Sequence, residues 1–254
     1  MKNATEKLSV AIITCNEEPV IESTLKSVRW ADEIVVVDSG STDRTTEICK
    51  RYTDRVYQEK WRGYAEQREY VISLTKNRWV LMLDADEVIP QQLADEIKET
   101  FRNGPDCDGY LISRKNHFLG RWLPHCGWYP DYQLKLFRKD TVWINPVVVH
   151  EGAFSTGKVG KLRGSIYHYT VRSIRQYFDR FDRYTSLEVM SRARKRKKIS
   201  LAYLFFEPLY HFYKIFILRK GFLDGLEGFL ASAFSSFYRL VAYAKVWEHK
   251  NMNP

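Results

Sequence analysis

The sequence predicts an α/β protein: a mostly parallel sheet with flanking helices, followed by a helical C-terminal extension. Three observations predict it. Short β-branched apolar runs alternate with helix-spaced segments through the first half of the chain. Two of those runs end on an aspartate, Asp38 and Asp84. The last third then abandons the alternation for long stretches of helical spacing rich in Phe, Tyr, Leu, Lys and Arg.

Leu8–Thr14 (LSVAIIT) is apolar without interruption, the pattern of a parallel strand covered on both faces. Pro19–Trp30 follows with helical spacing at Val20, Leu25 and Val28, and Glu33–Asp38 (EIVVVD) is a second buried strand. Ser39–Asp43 is a turn in which Ser41 or Thr42 would cap the next helix. Arg55–Tyr57 reads as a short strand, Gly63–Leu74 as a helix and Arg78–Asp84 (RWVLMLD) as another buried strand. Pro90 suits the first turn of a helix reaching Phe101. This order gives right-handed crossovers, and in such sheets ligands bind beyond the carboxyl ends of the strands. Asp38 and Asp84 therefore both face that crevice.

Between Asp108 and Thr170 the pattern is less regular. Tyr110–Arg114, Gln133–Arg138 and Leu162–His168 read as strands, separated by Gly- and Trp-rich loops at Gly120–Pro130 and Pro146–Gly160. Ser173–Arg196 is a long helical pattern, and within Met190–Ser200 lie Arg192, Arg194, Lys195, Arg196, Lys197 and Lys198. Leu201–Trp247 is rich in Phe, Tyr and Leu and contains only Glu207, Asp224 and Glu227 as acids.

The 254 residues, 44% hydrophobic and 28% charged, describe an ordered chain able to build a sizeable core. The net charge of +9 favours phosphate-bearing partners: nucleic acid, anionic lipid or nucleotide. The four cysteines, Cys15, Cys49, Cys107 and Cys126, form no C-x-x-C pair and no disulfide framework, which favours a reducing compartment. Leu8–Ile13 is too short for a signal-peptide core, and no run reaches the roughly 18 apolar residues of a membrane-spanning helix. The expectation is a soluble or peripheral protein.

Asp84-Ala85-Asp86-Glu87 is the most informative motif. Two carboxylates one residue apart at the end of a buried strand suit a hard divalent cation, Mn²⁺ or Mg²⁺, which prefers oxygen ligands and keeps water and phosphate oxygens in its shell. Asp38-Ser39-Gly40-Ser41-Thr42-Asp43 is a small polar turn that lets backbone approach a ligand, with a carboxylate able to accept hydrogen bonds from a base or ribose. Thr14-Cys15-Asn16-Glu17-Glu18 follows the first strand without a Gly-x-Gly-x-x-Gly pattern, which argues against a dinucleotide site.

In this order and spacing the three motifs resemble family 2 glycosyltransferases of the GT-A, Rossmann-like fold, over residues 8 to 90. The resemblance implies that Ser9–Glu17, Val35–Asp43 and Leu83–Glu87 form a nucleotide-sugar site. Thr14, Glu17 and Asp38 would contact the nucleoside, Arg68 would reach the nucleotide, Asp84 and Ala85 would serve the diphosphate, and Asp86 the metal. Gly127–Asp131, Lys135–Arg138, Val149–Glu151, Ile166–Thr170 and Arg219–Gly225 resemble more narrowly the lipopolysaccharide-core β-glucosyltransferase subgroup. The Glu-Asp pair that often supplies the family's catalytic base is absent, which leaves Glu151 as first candidate and Asp131 as second. A later histidine completes the metal shell in some GT-A enzymes; His168 fits that place best, with His150 the alternative.

The resemblance implies an inverting transfer from a UDP-sugar, UDP-glucose for the subgroup, to a lipopolysaccharide-core or other lipid-linked acceptor. Residues 1–170 would be the nucleotide-sugar-binding and catalytic domain and residues 171–254 a helical, basic and aromatic region. That region suits an anionic membrane surface, so the expected location is the cytoplasm, peripheral on the inner face of the cytoplasmic membrane. Three other readings compete. A nucleotidyltransferase would carry a Gly-rich basic loop where this chain has Thr14–Glu18. Nucleic acid is not an expected partner, because the basic residues form no recognisable module. A non-catalytic scaffold would have no use for both Asp84 and Asp86.

Overall fold

The structure, a computed structural model, describes residues 6–144, 153–193 and 201–252. The chain divides into two compact units: Met1–Arg114 with Asp131–His168, and Lys115–Pro130 with Tyr169–Pro254.

The first unit opens with β1 (Leu8–Thr14), α1 (Glu18–Ser27), β2 (Glu33–Asp38), α2 (Thr45–Lys50), β3 (Val56–Gln58), α3 (Tyr64–Leu74) and β4 (Trp79–Asp84). The two-residue strand β5 (Glu87–Val88), α4 (Gln91–Asn103), β6 (Gly109–Phe118) and β8 (Asp131–Arg138) follow, with β7 (Arg121–Trp122), which falls in the second unit, between β6 and β8 in the chain. Then come β9 (Val142–Ile144), β10 (Ala153–Ser155) and β11 (Val159–Val171). The strand order is β3-β2-β1-β4-β8-β6-β11-β5. The first four strands run parallel, as expected, and β8 adds antiparallel to β4.

The period of two along β1 divides the core. Val10 and Ile12 pack with Ile21 and Leu25 of α1 and with Leu93 and Ile97 of α4. Ala11 and Ile13 face the other way, onto Val71 and Ile72 of α3. Every residue of β1 is buried, so each fully buried Val or Ile contributes about 1.5–3 kcal/mol on a sheet covered on both faces.

Two boundaries differ from expectation. The helix expected to reach Trp30 ends at Ser27, whose hydroxyl bonds back to the Thr24 carbonyl and accepts the Ile89 N–H. The helix after β2 begins at Thr45 rather than after a Ser41 or Thr42 cap. Ser41 donates its hydroxyl to Asp38 instead, and Asp43 accepts the Thr45 N–H at 3.0 Å.

In the second unit α5 (Ile174–Ala193), α6 (Leu201–Tyr213), a π-helical turn (Lys214–Leu218), a 3₁₀ turn (Gly221–Asp224) and α7 (Gly225–Met252) complete the chain. Phe181 stacks on Phe237, and Phe212 meets Phe229, which joins α5 and α6 to α7. Pro208 sits inside α6. Among the described residues no helix is long and apolar enough to cross a membrane.

Candidate active site

Strand register aligns the site. Thr14 lies opposite Asp38 across the β1–β2 pair, and Ile13 lies opposite Asp84 across β1–β4. The three predicted residues thus stand side by side at the carboxyl edge of the sheet, where the fold leaves its crevice.

The loops above this edge are stitched together. Asn16, at φ 54°, donates its N–H to Ser41 and accepts from the Thr42 N–H, both at 2.8 Å. The Glu17 N–H reaches the Thr45 hydroxyl at 2.9 Å, and the Glu17 carbonyl starts α1 by accepting from Val20 and Ile21. The Asp38 carboxylate, fully buried, is absorbed by its own turn: it accepts from the Gly40 and Ser41 amides at 3.0 and 2.8 Å and from the Ser41 hydroxyl. Its direct work in the structure is to hold that loop. The Thr14 hydroxyl is different: it is buried and has no hydrogen-bond partner among the described residues. Leaving such a group unmet costs about 1–3 kcal/mol, so a ligand group there would recover that energy.

Beside it lies a charge network that the motifs alone did not announce. Arg68 on α3 reaches Asp84 at 3.1 Å. Lys135 on β8, 3% exposed at its side chain, binds Glu87 at 2.6 Å and Asp84 at 3.2 Å. Arg114 on β6 contacts Asp131 at 2.6 Å and Glu87 at 3.4 Å. Burial alone would raise the Asp84 carboxyl; Lys135 above all, then Arg68, Arg114 and His168, outweigh it and hold the group well below the usual carboxylate range. Burial pulls the Arg114 guanidinium down, but Glu87, Asp131 and Asp84 together push it above its ordinary value. Asp84 is therefore an anion already matched by the protein's own cations.

Asp86 has different company. The two-residue strand β5 pairs antiparallel with β11 so that Glu87 faces His168. That register brings His168 Nε2 within 3.4 Å of Asp86 Oδ1. Two ligands about 2.1 Å from one ion at right angles stand about 3 Å apart, so a carboxylate oxygen and an imidazole nitrogen at this separation suit one divalent cation. Among the described residues no group of three or more His, Cys, Asp or Glu forms a metal cluster. The remaining positions of such a shell would fall to diphosphate oxygens and water, as Mn²⁺ and Mg²⁺ sites allow. Ala85 supplies no side chain; its carbonyl accepts the Thr24 hydroxyl at 2.7 Å, which braces the acidic turn on α1.

Of the two candidate bases, Asp131 is bound through one oxygen by Arg114 Nε and Nη2 at 2.8 and 2.6 Å and through the other by Gln133 at 2.9 Å. Glu151 and His150 lie outside the described residues. Gln67, fully buried beside Arg68, was not singled out from the sequence; it donates to Ser39 at 3.1 Å, and its side-chain oxygen has no partner among the described residues. Lys135 did carry a signal: a lysine inside the apolar run Leu134–Phe137 requires a buried counter-charge.

Acidic and hydroxyl groups gathered at the carboxyl edge of the parallel strands mark the ligand crevice of an α/β fold. The family model described as glycosyl transferase family 2 matches residues 9–160. The chain is 32% identical over 253 residues to the uncharacterized glycosyltransferase RP128 of Rickettsia prowazekii, covering 95% of this chain and 87% of that one. It is 27% identical over 253 residues to the lipopolysaccharide core biosynthesis glycosyltransferase LpsC of Rhizobium meliloti, covering 95% and 92%. The mannosyltransferase PcManGT of Pyrobaculum calidifontis, solved with GDP-Man and Mn²⁺, shares the fold at a TM-score of 0.57 and 16% identity, over 98% of this chain and 89% of that one. The chain belongs to glycosyl transferase family 2.

Proposed function

We propose that the protein is an inverting, metal-dependent hexosyltransferase that moves a sugar from a UDP-sugar, UDP-glucose being one candidate, to a lipopolysaccharide-core or other lipid-linked glycan at the inner face of the cytoplasmic membrane. The observation that carries the donor half is the pairing of Asp86, which closely follows Asp84 at the carboxyl edge of the sheet, with His168, together with the unmet Thr14 hydroxyl at the end of β1. The acceptor half is supported by the likeness to LpsC, whose name assigns it to lipopolysaccharide core biosynthesis. The catalytic and donor-binding functions are assigned to residues 1–170, and the helical residues 171–254 to the membrane side.

Thr14, Glu17 and Asp38 belong to the nucleoside end of the site, Asp38 by shaping the turn it holds. Arg68, Asp84 and the Ala85 backbone belong to the diphosphate end, and Asp86 with His168 would hold Mn²⁺ or Mg²⁺. Bound there, the cation would neutralise charge developing on the leaving nucleoside diphosphate. An acceptor hydroxyl attacks the anomeric carbon in line while a carboxylate removes its proton, and single displacement inverts the centre. Glu151 is the preferred base, because both oxygens of Asp131 are committed to Arg114 and Gln133.

The test is calorimetric titration with UDP, GDP and ADP, each with and without Mn²⁺. Tight binding of UDP alone, and only with metal, supports the assignment. Preference for GDP would move the donor class, and metal-independent binding would strip Asp86 and His168 of their role as metal ligands.

A further inference from the structure

The segment Arg219–Gly225, one of the stretches that resemble the lipopolysaccharide-core subgroup, is not among the residues assigned to the donor. In the second unit it forms a tight turn between the π-helical end of α6 and the start of α7. Lys220 adopts a left-handed φ of 56° and Gly225 a φ of 67°, so the chain folds back within a few residues. The turn is fixed from within. Asp224, 1% exposed, accepts His125 Nδ1 at 2.7 Å and the His125 N–H at 3.1 Å. The Cys126 N–H binds the Arg219 carbonyl at 3.0 Å. Gly221 and Gly228 approach so closely that a Cβ on Gly228 would meet the Gly221 carbonyl oxygen at 2.0 Å.

What this rigid turn presents outward is apolar. Leu218, Phe222, Leu223 and Leu226 are 58%, 48%, 52% and 66% exposed. The surface continues along α6 and the π-helical turn, where Phe205, Leu209 and Tyr213, then Ile217, recur at intervals of four and are all exposed. The inward face of the same segment is also apolar, with Phe212 and Phe216 against Phe229. Apart from Glu207 and His211, α6 carries apolar or aromatic side chains on both faces, and contiguous exposed apolar surface marks an interaction or membrane-facing site. The charges around the turn are cationic: Arg219 and Lys220 are exposed, while Asp224 is held by His125 and Glu227 by Arg121 at 3.2 Å. Burial first, then Arg239, Lys214 and Arg219, push the half-buried His211 down to about 4, which reflects the same positive surroundings.

We propose that the Arg219–Leu226 turn, with the exposed stripe of α6, is a membrane-dipping anchor that enters the headgroup region of an anionic bilayer, its leucines and Phe222 below the phosphates and Arg219 and Lys220 against them. Among the described residues no helix is both long and apolar enough to cross a membrane, and the proposed element lies in the interface. A second copy of the chain fits this face less well, because pairing it with itself would set Arg219 and Lys220 against like charges. The anchor deepens the membrane half of the proposed function, and it is read without turnover or donor.

The experiment is co-sedimentation of the full chain with vesicles of phosphatidylcholine containing phosphatidylglycerol, beside vesicles of phosphatidylcholine alone. Wild type binds the anionic vesicles more tightly. The double variant Arg219→Gln/Lys220→Gly, whose glycine suits the left-handed backbone, loses about 25-fold in affinity, at about fivefold per cation. Leu223→Glu/Leu226→Glu loses at least about tenfold. UDP affinity stays unchanged in all of them, so loss of vesicle binding is separable from failure of the donor assignment. Leu223→Trp keeps the surface apolar, and its added emission shifts blue on anionic vesicles. An unshifted spectrum, equal binding by the variants, or a soluble dimer that ignores vesicles would overturn the anchor.

Discussion

Replacing Lys135 by methionine removes the cation from the centre of the acidic turn while nearly preserving side-chain length, so the change is electrostatic rather than a cavity. The Lys135 and Glu87 side chains are 3% and 0% exposed and lie 2.6 Å apart. Breaking a buried pair by removing one partner costs about 3–5 kcal/mol, because the other charge stays buried. Glu87 would keep Arg114 at 3.4 Å and the Asp84 N–H at 3.0 Å, which sets the expectation at the lower end, about 3 kcal/mol. For a chain of this size that is a fall in melting temperature of about 6–12 °C. Glu87→Gln in the Lys135→Met background should recover part of the loss, with a coupling of about 1 kcal/mol or more. Urea and thermal unfolding of the four proteins in the cycle measure both quantities. A loss below about 0.5 kcal/mol, or strict additivity, would mean that the Lys135–Glu87 pair does not hold the turn.

Four further outcomes are expected. Asp86→Ala should abolish the metal-dependent part of UDP binding in calorimetry, and unchanged Mn²⁺-dependent affinity would refute the assignment. Glu151→Gln should retain donor binding and lose transfer, whereas near-normal turnover would shift the base to Asp131. Asp84 is held below its ordinary value of 3.8, so its contribution to stability is complete above about pH 4 and disappears as pH falls through its lower folded value. Urea unfolding from about pH 7 to about pH 3 should fall less steeply in Asp84→Asn than in wild type. Thiol labelling at about pH 8 should find one fast cysteine, the exposed Cys15, because burial pushes Cys49 to about 12 and Cys126 to about 11 and raises Cys107. A second equally fast thiol would contradict that burial.

The parallel strands were legible because a strand covered on both faces writes itself as an unbroken apolar run, and Asp38 and Asp84 announced its carboxyl edge. The antiparallel part was read short: β6 and β11 extend beyond Tyr110–Arg114 and Leu162–His168, where polar residues on the exposed face interrupt the pattern. The strand β5 has two residues and no periodicity to detect, yet it sets the partner of Asp86. The cap assignments failed for a similar reason, since Ser41 is drawn to Asp38 and Asn16 rather than to its own helix. Arg114 and Lys135 belong to distant strands, and only the sheet order reveals that they share Asp84 and Glu87. The positions of Asp84 and Asp86 followed from local sequence; the difference in their company did not.

The β5–β11 pairing has a consequence for the order in which the protein becomes complete. A nascent chain exposes β1, β2 and β4 early, and the loops stitched by Asn16, Ser41 and Thr45 use only residues already made by then. Asp86 must wait for His168 to emerge and for β11 to lie against β5. The β1–β2 side of the crevice is thus made from an early stretch of chain, while the Asp86–His168 pair is finished among the last strands, by which time the antiparallel strands that carry Arg114 and Lys135 have also been synthesised.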